Sequence, residues 1–414
     1  MNPKDRASRG ARPSTVSKLS THRRPSMTVL TVVVACAVIA GGATGLTAIV
    51  ARTSGHATVH SLAASCVAPQ ASPAGVASDH LGAWTFNLLE AGTFGSVVSA
   101  TSGLYALQAC GTEETELRVL RIDTSGKVLG VSADFKRAAL LTSSLAIADG
   151  SLYVGTAQLD ISGPGGSAPY DLTLYRLDLQ TLRVLGSRSM GRGYGLSLFG
   201  GAGARSGPAY AQSLLASTGE ALLAVSPDSL QATILASFGG SIGQRVSVEP
   251  GLRYVAVSLF SPGAVPPAAT ASIELFDLAS RRVVSSVQLK SGSDVESLAL
   301  GRTGLWASIG DGMSTQLWRY TVPALGASGA PTGVPATLQT IDLSQTGDVV
   351  WLWGSTLLGC ADASTGRLLA STAPAGSPSA SVSATVEAGS DTVAVTPAGI
   401  GTVGAPTACR GARS

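Results

Sequence analysis

Along the chain, short apolar runs alternate with turn clusters. Gly103 to Leu107, Ser151 to Gly155, Leu252 to Val257, Gly304 to Ser308 and Val349 to Trp353 are each followed by a second run, at 117–122, 172–177, 273–276, 316–320 and 356–360. A turn headed by Asp then leads into a third run. The cleanest copies are the ten-residue segments Asp178–Ser187, Asp277–Ser286 and Asp362–Ser371, with Ser or Thr fourth, Arg sixth and two aliphatic residues after it. Asp123–Leu129 is a version one residue shorter in the turn. No segment beyond Val50 keeps a 3.6-residue period, so the body is predicted to be all-β.

Asp at the head of such a turn accepts backbone N–H groups two residues on, and Gly126 or Gly366 supplies positive φ. The aspartates are therefore expected to be structural. Recurrence at roughly 40 to 55 residues is the signature of a propeller or another repeat array. Degenerate units fall at Val225 to Asp228 and Trp318 to Pro323. A last pair of runs, 383–395 and 400–403, closes a seventh blade with an amino-terminal strand at 83–89. The expected fold is an all-β β-propeller of about seven four-stranded blades, six or eight being the alternatives; ring closure would hide the edges that an open array exposes.

Ahead of that body, Met27–Val50 is a 24-residue uncharged stretch, long enough as a helix to cross a bilayer. Residues 1–26 hold seven Lys and Arg against Asp5, which predicts a cytoplasmic amino terminus, a signal anchor at 27–50 and an extracytoplasmic body. A cleaved signal ending near Gly41, Gly42 and Ala43 is the alternative and would yield a secreted domain. The Ala-, Ser- and Thr-rich residues 51–80 read as a linker, 81–409 as the propeller and 410–414 as a tail. Without its first 26 residues the chain is near neutral, so no nucleic-acid partner is expected. Cys66, Cys110, Cys360 and Cys409 fall in the exported part and suggest two disulfides, with 66–110 and 360–409 as the pairing suggested by proximity.

The segment from Leu357 through Asp362 to Leu369 resembles the repeat of the pyrroloquinoline-quinone-like (quinoprotein-type) β-propeller superfamily, and 177–187 and 276–286 look like looser copies. The resemblance implies the fold and spans most of 81–409. The chain has no adjacent cysteines, and Asn87 is its only asparagine after Asn2, so it lacks the Cys-Cys pair and the calcium-ligand pattern of the quinone-binding enzymes. A non-catalytic member is the reading that fits, and no cofactor is expected.

No histidine follows His80, which excludes Ser-His-Asp catalysis, a His metal centre and a His acid or base from the body. Carboxylates, Arg and Tyr remain. Asp294 and Glu296 are candidate catalytic groups if they share one face of an innermost strand. Long inserts at 160–171, 187–213, 260–272 and 323–336 are candidate binding loops. Arg192, Tyr194, Arg205, Arg245 and Glu249 are the candidate ligand contacts should those loops share a rim. The expected function is binding or scaffolding, in the cell membrane, for a protein or cell-envelope component. The alternative is a His-independent lyase or glycosidase, or a degenerate quinoprotein, acting in the channel.

Overall fold

A computed structural model of the chain describes residues 72–73, 81–85, 93–110 and 116–325, the last apart from 124, 137, 160–169, 201–213, 250–252, 262–269, 303 and 312–313. Beyond Leu325 it describes 342–346, 349–354, 357–362, 367–372, 384–388, 391–396 and 399–403. The 27–50 segment, the linker up to residue 71 and Arg205 lie outside these residues. Among the described residues no helix is long and apolar enough to cross a membrane.

The described residues form seven antiparallel sheets. In the second sheet, for instance, Ser144–Ala148, Ser151–Leu159, Tyr170–Asp178 and Val184–Gly193 run as a meander from first to fourth strand. The first strand of each sheet lies beside the first strand or core of its neighbours, and that of the last sheet, Ala384–Ala388, lies against Thr93–Ala100 of the first. The sheets thus close on themselves around an axis, as in a β-propeller. The amino-terminal strand is Leu81–Thr85, slightly earlier than the expected 83–89. It pairs with Gly399–Val403 on one side and Ser72–Pro73 on the other, and so supplies the fourth strand of the last sheet.

Position within a sheet sets the burial pattern. Second strands are covered by neighbours on both faces, so Gly304–Gly310 is buried throughout and Tyr254–Ser261 nearly so. Fourth strands stand at the perimeter and are mostly exposed, as Val184–Gly193 is. Among the described residues, five apolar cores lie between successive sheets, from the first and second to the fifth and sixth. Each fully buried Leu, Val or Phe in them contributes about 1.5–3 kcal/mol.

The first strands are held together differently. Ser96 Oγ accepts the Leu145 N–H at 3.1 Å, and Ser144 Oγ donates to the Leu196 carbonyl at 2.6 Å while accepting the Leu198 N–H at 2.8 Å. Ser247 Oγ accepts the Leu300 N–H at 2.9 Å, and Ser297 Oγ both accepts the Leu343 N–H and donates to its carbonyl, at 2.9 and 3.2 Å. Adjacent first strands have no shared ladder, so serine hydroxyls satisfy backbone groups that would otherwise be orphaned.

The Asp turns have the expected chemistry. Asp123 accepts the N–H groups of Ser125 and Lys127, Asp178 those of Gln180 and Thr181, and Asp277 those of Ala279 and Ser280. Gly126, Leu182, Leu230 and Arg281 take positive φ just before the turn closes. In the third sheet the head of the turn is Ser226, whose N–H bonds to the Gln231 carbonyl; Asp228, two places on, instead pairs with Arg176 at 3.2 Å.

Candidate functional site

In a meander, the starts of the first and third strands and the ends of the second and fourth share one end of the sheet. Backbone bonds from Tyr194 to Thr218, from Leu196 to Thr142 and from Gly243 to Gly219 join these ends across the second, third and fourth sheets. The Asp turns lie at the opposite end. On this reckoning Arg192, Tyr194, Arg245, Asp294 and Glu296 come to one end of the ring, and Glu249 goes to the other.

The centre of the site is the fifth sheet, where Asp294 and Glu296 open the first strand, Asp294–Leu300. Pairing with Gly304–Gly310 slips between Val295 and Ser297, leaving Glu296 as the extra residue of a β-bulge. A bulge re-aims a side chain. Glu296 does not simply alternate with Asp294 toward an open channel. Its carboxylate accepts hydrogen bonds from Ser308 Oγ at 3.3 Å and from Thr315 Oγ1 at 3.2 and 3.0 Å. It lies so close over Gly310 that a Cβ there would collide with its Oε1.

Both carboxyls are half-buried. Burial pushes Asp294 above the ordinary carboxylate range, opposed by the Val295 N–H and the positive charge of Arg245. Its Oδ1 is buried without a hydrogen-bond partner. Burial likewise pushes Glu296 up; the Thr315 and Ser308 hydroxyls oppose this, the negative charge of Asp294 adds to it, and Arg245 opposes it. Arg245, from the first strand of the fourth sheet, therefore bears on both acids. It too follows a bulge, between Gly243 and Arg245, where its N–H donates to Ser258 Oγ at 2.9 Å, and its side chain is exposed. The arrangement can hold a proton, offer an anion pair, or present acceptors beside a guanidinium.

The other candidates are placed as follows. Arg192 ends the outer strand of the second sheet, with its Nε 3.7 Å from Asp171, its cross-strand partner; so exposed an ion pair stabilises by about 1 kcal/mol at most. Tyr194 is half-buried where the chain crosses to the third sheet, and burial followed by Glu220 pushes its phenol up. Glu249 is buried, and its carboxylate accepts the N–H groups of Arg253 at 3.0 Å and Tyr254 at 3.4 Å. It caps a turn at the other end of the sheet, where the strand Ile242–Val248 carries it about 13 Å past Arg245 at ~3.3 Å per residue. Cys360 is buried and disulfide-bonded. The Cys66–Cys110 and Cys360–Cys409 pairings fall outside the described side chains. Among the described residues no group of three or more His, Cys, Asp or Glu could hold a metal ion. Ser308, Thr315 and Gly310 complete the site.

No protein-family model matches the chain, and no curated protein matches it. Solved structures do. Hydrazine synthase of Kuenenia stuttgartiensis matches with a TM-score of 0.46 and 11% identity, over 74% of this chain and 94% of that one. The Cps50 (Swd1) β-propeller domain of Myceliophteria thermophila matches with a TM-score of 0.47 and 12% identity, over 76% and 97%.

Proposed function

We propose that this chain is a binding or scaffolding module of the cell envelope. In this reading its seven sheets are the blades of one ring, the segment 27–50 holds the ring outside the cytoplasmic membrane, and the ligand is taken at the end formed by Asp294, Glu296 and Arg245. The resemblance of 357–369 to quinoprotein-type repeats accords with a non-catalytic member of that superfamily.

The supporting observation is the acid pair. Two carboxylates sit where burial opposes their ionisation, one with an oxygen that lacks a partner, beside an exposed guanidinium. A fold maintains such an arrangement against stability when a ligand completes it. A catalytic second reading has one observation in its favour: acids held above the ordinary range can keep a proton for general acid work. The absence of histidine from the body leaves that reading with carboxylates, Arg and Tyr.

Affinity capture from envelope extract, read by mass spectrometry, tests the proposal. The unaltered chain is expected to retain a partner that the Asp294→Asn, Glu296→Gln pair does not. Identical partner lists from both would reject the site. Bond cleavage in the retained ligand, lost in the same pair, would transfer the assignment to the catalytic reading.

A further inference from the structure

At the end of the ring opposite the acid pair, the same surface feature recurs from sheet to sheet. Each regular turn closes on an exposed basic residue, Lys127 in the first sheet, Arg183 in the second and Arg282 in the fourth, where Arg281 is exposed as well. Large apolar side chains follow at the base of the outer strand and face solvent: Leu129 is 46% exposed, Val184 and Leu185 41% and 46%, and Val283 and Val284 45% and 43%. Among the described residues, no packed core includes them. The third sheet departs, with Gln231 in the basic place and Ile234, 64% exposed, slightly further on.

Asp123, Asp178 and Asp277 accept N–H groups of their own turns and Asp228 pairs with Arg176, so these acids already have partners, whereas Lys127, Arg183 and Arg282 extend exposed beside the aliphatic residues. Equivalent places in successive sheets of a ring lie near one plane, and a flat partner meets them together. Basic side chains set beside exposed aliphatic ones complement an interface that is anionic at the headgroups and apolar just beneath.

We infer that this rim, carried by Lys127, Leu129, Arg183, Leu185, Arg282 and Val284, docks on the surface of an anionic lipid bilayer. The inference stands on the rim; the reading of 27–50 as an anchor adds only proximity to the membrane. Basic residues near such a surface strengthen binding roughly fivefold each, and the aliphatic residues add to it. Docked in this way, the ring presents Asp294, Glu296 and Arg245 away from the membrane.

Hydrogen exchange of the full chain, reconstituted in vesicles of phosphatidylcholine alone or mixed with phosphatidylglycerol, tests this. Amides at 127–131, 183–185 and 281–284 are expected to exchange more slowly on the anionic vesicles. An Arg183→Glu, Arg282→Glu variant and, independently, a Leu185→Ser, Val284→Ser variant should lose that protection while the buried strand 254–261 keeps its own. Equal exchange on both vesicle types overturns the inference, as does protection in detergent that deepens with protein concentration, which would give the rim to a second copy. A chain that floats with both lipids while its rim is protected by neither keeps the anchor and loses the docking surface.

Discussion

The second and fifth sheets share one plan and differ where it matters. The second has four strands, an Asp turn whose carboxylate accepts the Gln180 and Thr181 N–H groups, and apolar faces packed on both neighbours. The fifth has three strands among the described residues, no Asp turn, and two half-buried acids at the head of a bulged first strand. Its core is nonetheless complete, with Trp306 at 1% exposure. Regularity belongs to the scaffold, and departure from it marks the place where local stability is given up. The contrast can be broken or sharpened by substitution.

The largest effect is expected in the cores. Trp306→Ala, between the fifth and sixth sheets, should cost about 3–5 kcal/mol in denaturant unfolding, and Leu174→Ala, between the second and third, about 2–5 kcal/mol. A Trp306 variant within 1 kcal/mol of the unaltered chain, roughly the size of a single hydrogen bond, would mean that the fifth sheet is not integrated into the ring.

Next come two glycines with different neighbours. A Cβ at Gly193 meets the Thr218 carbonyl, which is backbone; at Gly310 it meets the Glu296 carboxylate, which can swing away. Both substitutions to Ala are expected to destabilise by about 1–3 kcal/mol, Gly193→Ala the more. Glu296→Ala should relieve Gly310→Ala, giving a non-additive double-mutant cycle measured by the same unfolding curves. Strict additivity would separate Glu296 from Gly310.

A smaller loss, about 1 kcal/mol, is expected for Ser297→Ala and likewise for Ser144→Ala, since each removes a hydroxyl that clasps the next sheet. Thermal unfolding of the two variants would reveal whether one clasp matters more.

The smallest expected effect is one of sign. Hydrogen bonds from the Thr181 N–H and hydroxyl hold Asp178 below the ordinary carboxylate range. A lowered folded pKa adds stability that is present above the unfolded value and is lost as pH falls through the folded one. Asp178→Asn should therefore flatten the acid limb of the stability curve, read by unfolding at stepped pH. An unchanged limb would deny the turn its electrostatic part.

Much of the scaffold was legible in the chain. Second strands are long apolar runs because both of their faces are covered, and the Asp turns carry their own local chemistry. First strands such as Ile242–Val248 were nearly silent. They mix apolar residues with the serines that reach across to the next sheet, so neither an alternating pattern nor an apolar run marks them. Asp294 and Glu296 were visible as a spaced pair, but the bulge was not, and without it the seat of Glu296 on Gly310, Ser308 and Thr315 is hidden in cross-strand register. Glu249 looks adjacent to Arg245 in sequence, whereas four residues along a strand carry it to the opposite end of the sheet.

The central claim is that the fifth sheet keeps its acids at a cost to the fold. Burial raises both folded pKa values, so the folded chain holds protons that the unfolded chain releases, and stability falls as pH climbs from the ordinary carboxylate range through the raised values. The direct test is unfolding free energy against pH for the Asp294→Asn, Glu296→Gln pair beside the unaltered chain. The variant should be at least as stable near neutral pH and should lack that decline; a variant clearly weaker at neutral pH would make these acids part of the scaffold and contradict the account.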